Sequence, residues 1–289
     1  MAKVLLAGAT GNLGRHVLRQ LGVHGHYVRA LVRRETQAAD LRGFAQEIVF
    51  ADLTQADTLS ACCHDIDTVI SAAGASVDIN TSSRQTFREI DFEGNRNLLE
   101  EAIRGQIRKF VYVSALTSTE TAHTAYLRAK EDFAALVMKS GLDYQILRPT
   151  GFFSAFAFLA GMARERSLPL IGEGTAKTNP IDDEEVATAC VEAIQSEIRE
   201  LALGGPDILT RKEILDLVFH AIGREPRYQR IPAVVVKVAG AAMGLFNPRK
   251  RDLTEFYLAV GAHDCIAPPY GRRRLADYFG ALNRSSIST

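Results

Sequence analysis

The sequence predicts an α/β protein with a doubly wound Rossmann-type parallel sheet and a smaller C-terminal substrate-binding portion. Six short apolar runs are separated by segments long enough for helices: KVLLAG, YVRALV, EIVFAD, DTVISAAG, KFVYVSA and DYQILRP. Such alternation is typical of βαβ units. The runs are apolar without interruption, which indicates strands that are buried on both faces between two layers of helices.

Composition excludes several classes of function. The chain has 289 residues, 47% of them hydrophobic, which is enough for a sizeable core. Its 34 Lys and Arg residues balance 34 Asp and Glu residues, so we expect no nucleic-acid partner. The cysteines and histidines show no metal-ligand spacing, so we expect no metal. Without a signal peptide or an apolar run of about 18 residues, we expect a cytoplasmic protein with no transmembrane segment.

A glycine-rich turn follows the first strand. In AGATGNLGRHV, Gly8, Gly11 and Gly14 lie between an apolar strand and an amphipathic helix. Glycine lets the backbone turn sharply and approach a pyrophosphate, while the N–H groups of the helix point at its oxygens. The spacing is GxxGxxG rather than GxGxxG, but this context favours dinucleotide binding over a simple tight turn. The loop residues expected to contact the cofactor are Gly8, Thr10, Gly11, Asn12, Leu13 and Gly14.

The end of the second strand predicts which dinucleotide binds. ALVRRE places Arg33 and Arg34 where an NAD site usually has an acid for the ribose hydroxyls. Guanidinium groups bind phosphate bidentately, so we predict NADP(H), with Arg33 as the main ligand of the 2′-phosphate and Arg34 or Arg15 assisting. Glu35 argues for NAD, and a pair of solvated arginines at a strand end is the alternative.

These motifs resemble the atypical branch of the short-chain dehydrogenase/reductase superfamily, that of the NmrA-like and isoflavone-reductase-like NAD(P)H-binding proteins. The resemblance extends over most of the chain, through GATGNLG, RALVRR, ADL, SAAGAS, DFEGNRNLLEEA, FVYVSA, YLRAK, LRPT and NPIDDEEVA. The residues that it assigns to the cofactor are Asp52 and Leu53 at the adenine, Ala72, Ala73 and Gly74 beneath the adenine ribose, and Arg148 with Pro149 beside the nicotinamide.

Tyr126 and Lys130 are four residues apart in TAYLRAKEDF, so one helix face presents both side chains. A free tyrosine, with a pKa of about 10, is a weak acid at neutral pH, and a nearby ammonium lowers that pKa. The resemblance implies that Tyr126 donates a proton, Ser114 holds the substrate oxygen, and Lys130 binds the nicotinamide ribose and lowers the pKa of Tyr126. Asp91 aligns with the asparagine of the superfamily's NxxG step, which leaves the water relay of that asparagine unassigned. The alternative is a Tyr126 that faces ribose or solvent without chemistry.

The βαβ pattern weakens after Pro149. We therefore expect residues 1–150 to form the NAD(P)-binding domain and residues 151–289 to form a substrate-binding portion that contributes elements back to the sheet. Phe152, Phe153 and Phe156, with Phe158 nearby, predict walls for a flat apolar substrate. Core filling is the favoured alternative for phenylalanines at helical spacing. We expect the terminal NRSSIST to be disordered.

Residues 232–251, PAVVVKVAGAAMGLFNPRKR, form an apolar helix followed by a basic cluster. This pattern is consistent with peripheral membrane contact, in which Arg249, Lys250 and Arg251 meet anionic headgroups. It is also consistent with a cover over the substrate pocket or a subunit contact. The alanines and glycines of the helix favour close packing. The sequence does not predict the oligomeric state.

Two functions remain open. The first is an NADPH-dependent reductase that transfers hydride to a small apolar carbonyl, quinone or conjugated alkene, with Tyr126 as proton donor. The second is a non-catalytic NADP(H)-binding redox sensor or assembly protein, similar to NmrA-like regulators or to the accessory subunit of respiratory complex I. The Ser114, Tyr126 and Lys130 set favours the enzyme, whereas Asp91 and the apolar helix favour the alternative.

Overall fold

The computed structural model describes residues 1–78 and 80–287, except for the side chains of Asp40 and of residues 285–287. Its strands are β1 (Lys3–Ala7), β2 (Tyr27–Val32), β3 (Glu47–Phe50), β4 (Thr68–Ser71), β5 (Lys109–Val113), β6 (Asp143–Pro149), β7 (Leu168–Ile171), β8 (Lys177–Thr178), β9 (Glu200–Leu203), β10 (Leu209–Thr210) and β11 (Tyr228–Ile231). Its helices are α1 (Asn12–Val23), α2 (Asn95–Arg104), α3 (Ala125–Met138), α4 (Ala157–Glu165), α5 (Asp183–Glu192), α6 (Arg211–Ala221), α7 (Ala233–Gly244), α8 (Pro248–Ala262) and α9 (Leu275–Ile287).

A seven-stranded parallel sheet in the order β3-β2-β1-β4-β5-β6-β9 forms the centre of the molecule. The winding direction reverses between β1 and β4, and ligands of doubly wound sheets bind at the carboxyl ends of the strands at such a point. The strands β1, β4, β5 and β6 are short, apolar and each followed by a helix before the next strand, so the chain crosses back over the sheet to start a parallel neighbour. The predicted doubly wound fold is confirmed.

Two cores cover the two faces of this sheet. On one face, α1 and α5 pack against alternate strand residues such as Val4 and Leu6. On the other face, α2 and α3 cover their neighbours Leu5 and Ala7. Because Val4 to Ala7 are all fully buried, β1 has no solvent-facing side, as the uninterrupted apolar runs predict.

The chain after β6 builds a third core between α4, α6 and α9, around buried phenylalanines such as Phe219 and Phe279. β9 returns from this half of the chain to the large sheet and pairs with β6. The helix α9 includes residues 283–287, so the expectation of a disordered NRSSIST is wrong for those five residues. Ser288 and Thr289 lie outside the described residues. No helix within the described residues combines the length and the apolar content needed to cross a membrane.

Candidate functional site

The glycine-rich turn between β1 and α1 is drawn tightly against the end of β4. Gly8 adopts a left-handed φ of +82°, and a Cβ there would lie 2.7 Å from the backbone of Ala72. A Cβ on Gly14 would lie 2.0 Å from the carbonyl oxygen of Gly8. Only glycine fits at both positions. A Cβ on Gly11 would meet only the Gly8 oxygen, at 3.4 Å, so the outer side of the turn at Gly11 is open.

The other predicted loop residues lie at the same sheet edge. Asn12 is exposed in the first turn of α1, whereas Leu13 is buried beneath it. The Thr10 carbonyl accepts a hydrogen bond of 3.2 Å from Nε of Arg15. Because no side chain caps the amino end of α1 at Gly11, its first backbone N–H groups can point at a pyrophosphate.

Arg33 and Arg34 are exposed immediately after β2, one strand away from the glycine turn. Within the described residues, the Arg33 side chain makes no ion pair. Asp52 and Leu53 follow β3, where the Asp52 carboxylate accepts hydrogen bonds from the backbone N–H and the hydroxyl of Thr54 at 2.9 and 2.8 Å. The Leu53 carbonyl accepts a hydrogen bond from the side chain of Asn97.

Asn95, which sequence reasoning missed, fixes the path of Ala72, Ala73 and Gly74 after β4. Its buried amide donates to the carbonyls of Ala73 (3.3 Å) and Asp91 (3.1 Å) and accepts a 2.5 Å hydrogen bond from the Ser71 hydroxyl. The spacing of Asn95 with Leu98, Leu99 and Ala102 places a polar residue on the buried face of α2. A polar residue on an apolar helix face is the signal that would have identified it.

Asp91 and Lys130 form a buried ion pair beside Gly74. Nζ of Lys130 is 3.2 Å from Oδ1 of Asp91, and Oδ2 accepts a hydrogen bond from the Ala75 N–H. Lys130 also donates to the Val113 carbonyl at 3.5 Å, so it joins the ends of β4 and β5. Burial raises the pKa of Asp91, and the charge of Lys130 opposes that rise. A Cβ on Gly74 would lie 2.8 Å from Oδ1 of Asp91, so only glycine leaves room for the pair.

The Tyr126 ring packs between two aromatic rings at this end of the site. Its centroid is 5.0 Å from that of Phe87 and 4.9 Å from that of Phe256, and Nζ of Lys130 is 5.4 Å from it. Burial raises the pKa of Tyr126, although the charge of Lys130 lowers it and that of Asp91 raises it further. The expected net lowering of this pKa is therefore not produced by the protein's own groups. Asp91 offsets the lysine charge, and the aromatic rings exclude water.

Ser114 directly follows β5, and its side chain is buried. Its backbone N–H donates to the Leu147 carbonyl at 2.8 Å. Within the described part of the chain, its hydroxyl has no hydrogen-bond partner. A buried hydroxyl without a partner costs free energy, so a ligand oxygen that bonds to it would be stabilised.

Pro149 is buried at the end of β6, but the neighbouring Arg148 has a structural role. Its guanidinium pairs with Glu131 of α3 and, at 3.0 Å, with Glu200 of β9. These two carboxylates hold the side chain of Arg148 between a helix and the last strand of the sheet. The resemblance placed Arg148 beside the nicotinamide, whereas in the structure its charge is already paired.

The predicted substrate wall of phenylalanines is wrong for Phe153. Its side chain is buried in the core between α4, α6 and α9 and packs against the tilted ring of Tyr278. Phe156 is partly buried against the same core, and Phe152 packs against the core beneath α1 and α5. Phe153 and Phe156 therefore pack within the second half of the chain, whereas Phe152 joins that half to the core of the first.

The helix α8 supplies Phe256, one of the two aromatic neighbours of Tyr126, and the sequence did not reveal this contact. The buried guanidinium of Arg249 donates to the carbonyls of Ser76 at 2.5 Å and Gln85 at 2.8 Å and lies 5.0 Å from the Phe87 ring centroid. The Tyr257 hydroxyl donates to the Val77 carbonyl at 2.6 Å. These bonds hold α8 against the segment that follows β4. No spacing in the sequence signals contacts between such distant positions.

A glycine-lined cradle at the switch point, with Tyr126 and Lys130 on α3 beside it, is the arrangement expected of a dinucleotide-binding protein. Residues 8–197 match the family described as NAD(P)H-binding. The chain belongs to this NAD(P)H-binding family, and the resemblance noted in the sequence is confirmed.

The chain is similar to proteins with different described roles. It is 28% identical to the photosystem II assembly factor Ycf39 of Synechocystis, over 81% of this chain and 72% of that protein. It is 25% identical to the chloroplastic divinyl chlorophyllide a 8-vinyl-reductase of Cucumis sativus, over 96% of this chain and 75% of that protein. The NADPH complex of an Escherichia coli quinone oxidoreductase, QOR2, shares the fold with a TM-score of 0.77 at 16% identity, covering 96% of this chain and 99% of that one.

Proposed function

We propose that the protein is an NADPH-dependent reductase that transfers hydride to a small apolar carbonyl, quinone or conjugated alkene. The observation that carries this proposal is that Lys130 lies close to both other predicted catalytic residues. It donates to the Val113 carbonyl, next to Ser114, and it lies over the Tyr126 ring. In this proposal, residues 1–150 hold the cofactor. Residues 151–289 form the substrate side, to which α8 contributes Phe256.

The residues present fit the cofactor. The turn at Gly8, Gly11 and Gly14 leaves a backbone cradle for a pyrophosphate, and exposed Arg33 stands one strand away for a 2′-phosphate. Lys130 would bind the nicotinamide ribose, at a position fixed by Asp91. When bound, NADPH supplies the hydride. The remaining assigned contacts are those of Thr10, Asn12, Leu13, Arg34, Asp52, Leu53, Ala72, Ala73, Gly74 and Pro149.

Side chains of the protein would then donate the proton and bind the substrate oxygen. Tyr126 keeps its proton at neutral pH because burial raises its pKa, so it acts as an acid rather than as a phenolate. The unpartnered Ser114 hydroxyl donates a hydrogen bond to the developing oxyanion. Phe87 and Phe256 exclude water and favour a flat apolar substrate.

A second candidate is a non-catalytic NADP(H)-binding redox sensor or assembly protein. The observation that favours it is the Asp91–Lys130 pair, because Asp91 offsets the charge that would make Tyr126 a stronger acid. The names of the relatives support both candidates, since one is a vinyl reductase and another an assembly factor.

Oxidation of NADPH against a panel of quinones and enones separates the two candidates. We expect turnover by the wild type and a loss of about 100-fold or more in Tyr126→Phe, because general acid catalysis contributes that much. Tyr144→Phe is the matched control. Tyr144 lies at the amino end of β6, whereas the candidate site lies at the carboxyl ends of the strands. Calorimetry should show the same NADPH affinity in all three proteins. Tight NADPH binding without turnover on any panel member would contradict the reductase and support the second candidate.

Cofactor preference has its own test. Arg33→Ala should weaken NADPH binding by about tenfold or more and leave NADH binding nearly unchanged, because only NADPH has the 2′-phosphate that a charge-assisted bond would hold. An equal loss for both dinucleotides, measured by titration calorimetry, would show that Arg33 does not read the phosphate.

A further inference from the structure

The helix α7 is apolar around most of its circumference and lies outside every core of the described chain. Of its 12 residues, only Gly240 is buried. A Cβ on Gly240 would lie 2.4 Å from Thr254, and one on Gly244 would lie 2.7 Å from Arg251, so a narrow stripe of glycine holds α7 to α8. The exposed apolar side chains on α7 and just after it are Val234, Val235, Val238, Met243, Leu245 and Phe246. We call these six residues the α7 surface.

The chain segment that carries the α7 surface is rich in cations. Residues 226–251 contain six lysines and arginines and no aspartate or glutamate, although the whole chain has equal numbers of both charges. Arg249 is directed inward to Ser76 and Gln85. Arg227, Arg230, Lys237 and Arg251 are exposed on α7 or on the elements next to it, where Arg230 pairs with Glu173 at 3.6 Å and Arg251 with Asp252 at 3.3 Å. The exposed cations still outnumber these two carboxylates. An exposed apolar surface bordered by cations fits an anionic lipid bilayer, which offers hydrocarbon and negative headgroups at the same depth.

We propose that the α7 surface docks on an anionic lipid bilayer, with α7 lying in the plane of the headgroups. Twelve helical residues extend over about 18 Å, whereas the hydrocarbon core is about 30 Å thick, so the helix enters one interface only. A second copy of the chain fits less well. A symmetric contact places the same surface against itself, which would bring the cations of both copies together.

Docking would also place the proposed active site at the lipid. The helix α8 connects directly to α7 and supplies Phe256 next to Tyr126 and Arg249 above Phe87. Apolar substrates dissolve in the bilayer, so the bound protein would meet them at high local concentration. Docking itself does not require turnover, and its test is therefore independent of the proposed reductase activity.

Co-sedimentation with vesicles tests the proposal. The wild type should bind vesicles of equal parts phosphatidylcholine and phosphatidylglycerol. Leu245→Glu should weaken binding by about tenfold or more, because one large buried apolar side chain contributes at least that much. The matched control is Val23→Glu on α1, because Leu245 and Val23 are 84% and 85% exposed, and it should bind like the wild type. Lys237→Glu should weaken binding by about fivefold or more, since each cation near an anionic surface contributes about that factor.

The absence of tryptophan from the sequence allows a second measurement. Phe246→Trp, at a position that is 78% exposed, introduces a single tryptophan, which can be excited apart from the tyrosines and whose emission should shift to the blue when anionic vesicles are added. Phe44→Trp, at a 43% exposed position near α1, should show no shift. Both variants lie outside the proposed active site.

Several outcomes would overturn the proposal. Leu245→Glu and Val23→Glu could bind equally well, or vesicles of pure phosphatidylcholine could bind as tightly as anionic ones. The wild type could instead bind no vesicles and form a dimer in sedimentation equilibrium. If Leu245→Glu dissociated that dimer, the α7 surface would be a contact with a second copy of the chain. A monomer that binds no vesicle would assign it to another protein.

Discussion

The two ends of the candidate cofactor site are built in different ways. At the glycine end, the close contacts join backbone to backbone, between Gly8, Gly14 and Ala72. At the tyrosine end, Tyr126 packs against side chains from two distant segments, Phe87 and Phe256. A backbone contact with no room for a side chain requires glycine, which can be recognised in the sequence. An aromatic contact requires only a phenylalanine, which looks like any other phenylalanine in the sequence. The first kind of end can therefore be predicted from sequence and the second cannot.

Removing the Arg249 side chain should cause the largest loss of stability, and the contacts that it removes all lie at the tyrosine end. Arg249→Ala deletes a buried guanidinium that bonds two carbonyls and covers the Phe87 ring, so we expect a loss of about 2–4 kcal/mol in the free energy of unfolding. Chemical denaturation measures this loss, and Arg251→Ala, at an exposed neighbour, should change it by about 0.5 kcal/mol or less. Equal effects of the two variants would show that α8 is not held by Arg249.

The glycine end should respond to a single methyl group. Gly14→Ala places a Cβ at 2.0 Å from the Gly8 oxygen, and we expect a loss of about 1–3 kcal/mol in unfolding free energy from the forced backbone shift. NADPH binding, followed by calorimetry, should weaken as well because the cradle moves. A Gly14→Ala protein with wild-type stability and affinity would contradict the close packing of this turn.

Asp91→Asn should change the pH dependence of the tyrosine end. The carboxylate of Asp91 raises the pKa of Tyr126, and Lys130 lowers it, so the amide should leave a lower pKa. A proton donor stops working as pH rises through its pKa, and the alkaline loss of NADPH oxidation should therefore begin at lower pH in the variant. Tyrosinate absorbance provides a readout independent of turnover. If activity in the variant were instead lost at a higher pH than in the wild type, Asp91 would not raise the pKa of Tyr126.

The smallest effect on stability is expected from Gly11→Ala. Its Cβ would have only an ordinary contact of 3.4 Å with the Gly8 oxygen, so the unfolding free energy should change by a few tenths of a kcal/mol. The same methyl group would stand on the open side of the turn, where a pyrophosphate would approach. NADPH affinity should therefore fall while stability is kept. Unchanged NADPH affinity would place the cofactor elsewhere.

The sequence predicted those parts of the site that depend on local geometry. The glycine spacing and the four-residue separation of Tyr126 and Lys130 both follow from the backbone, and the structure places them at one edge of the sheet. The Phe153 prediction failed because a phenylalanine that lines a pocket and one that fills a core have the same local pattern. Asn95 was detectable from helix periodicity. Arg249 and Phe256 were not, since nothing near them in the chain marks their partners.

The two ends should also form at different times during synthesis. The contacts of the glycine end lie within residues 8–73, whereas Arg249 bonds Ser76 across 173 positions and Tyr257 bonds Val77 across 180. These long-range contacts cannot form before α8 emerges from the ribosome. A nascent chain would thus complete the contacts of the glycine turn while Ser76, Gln85 and Phe87 still lack α8. The tyrosine end would therefore stay uncovered longest during synthesis, and a chaperone that binds the nascent chain would be needed longest there.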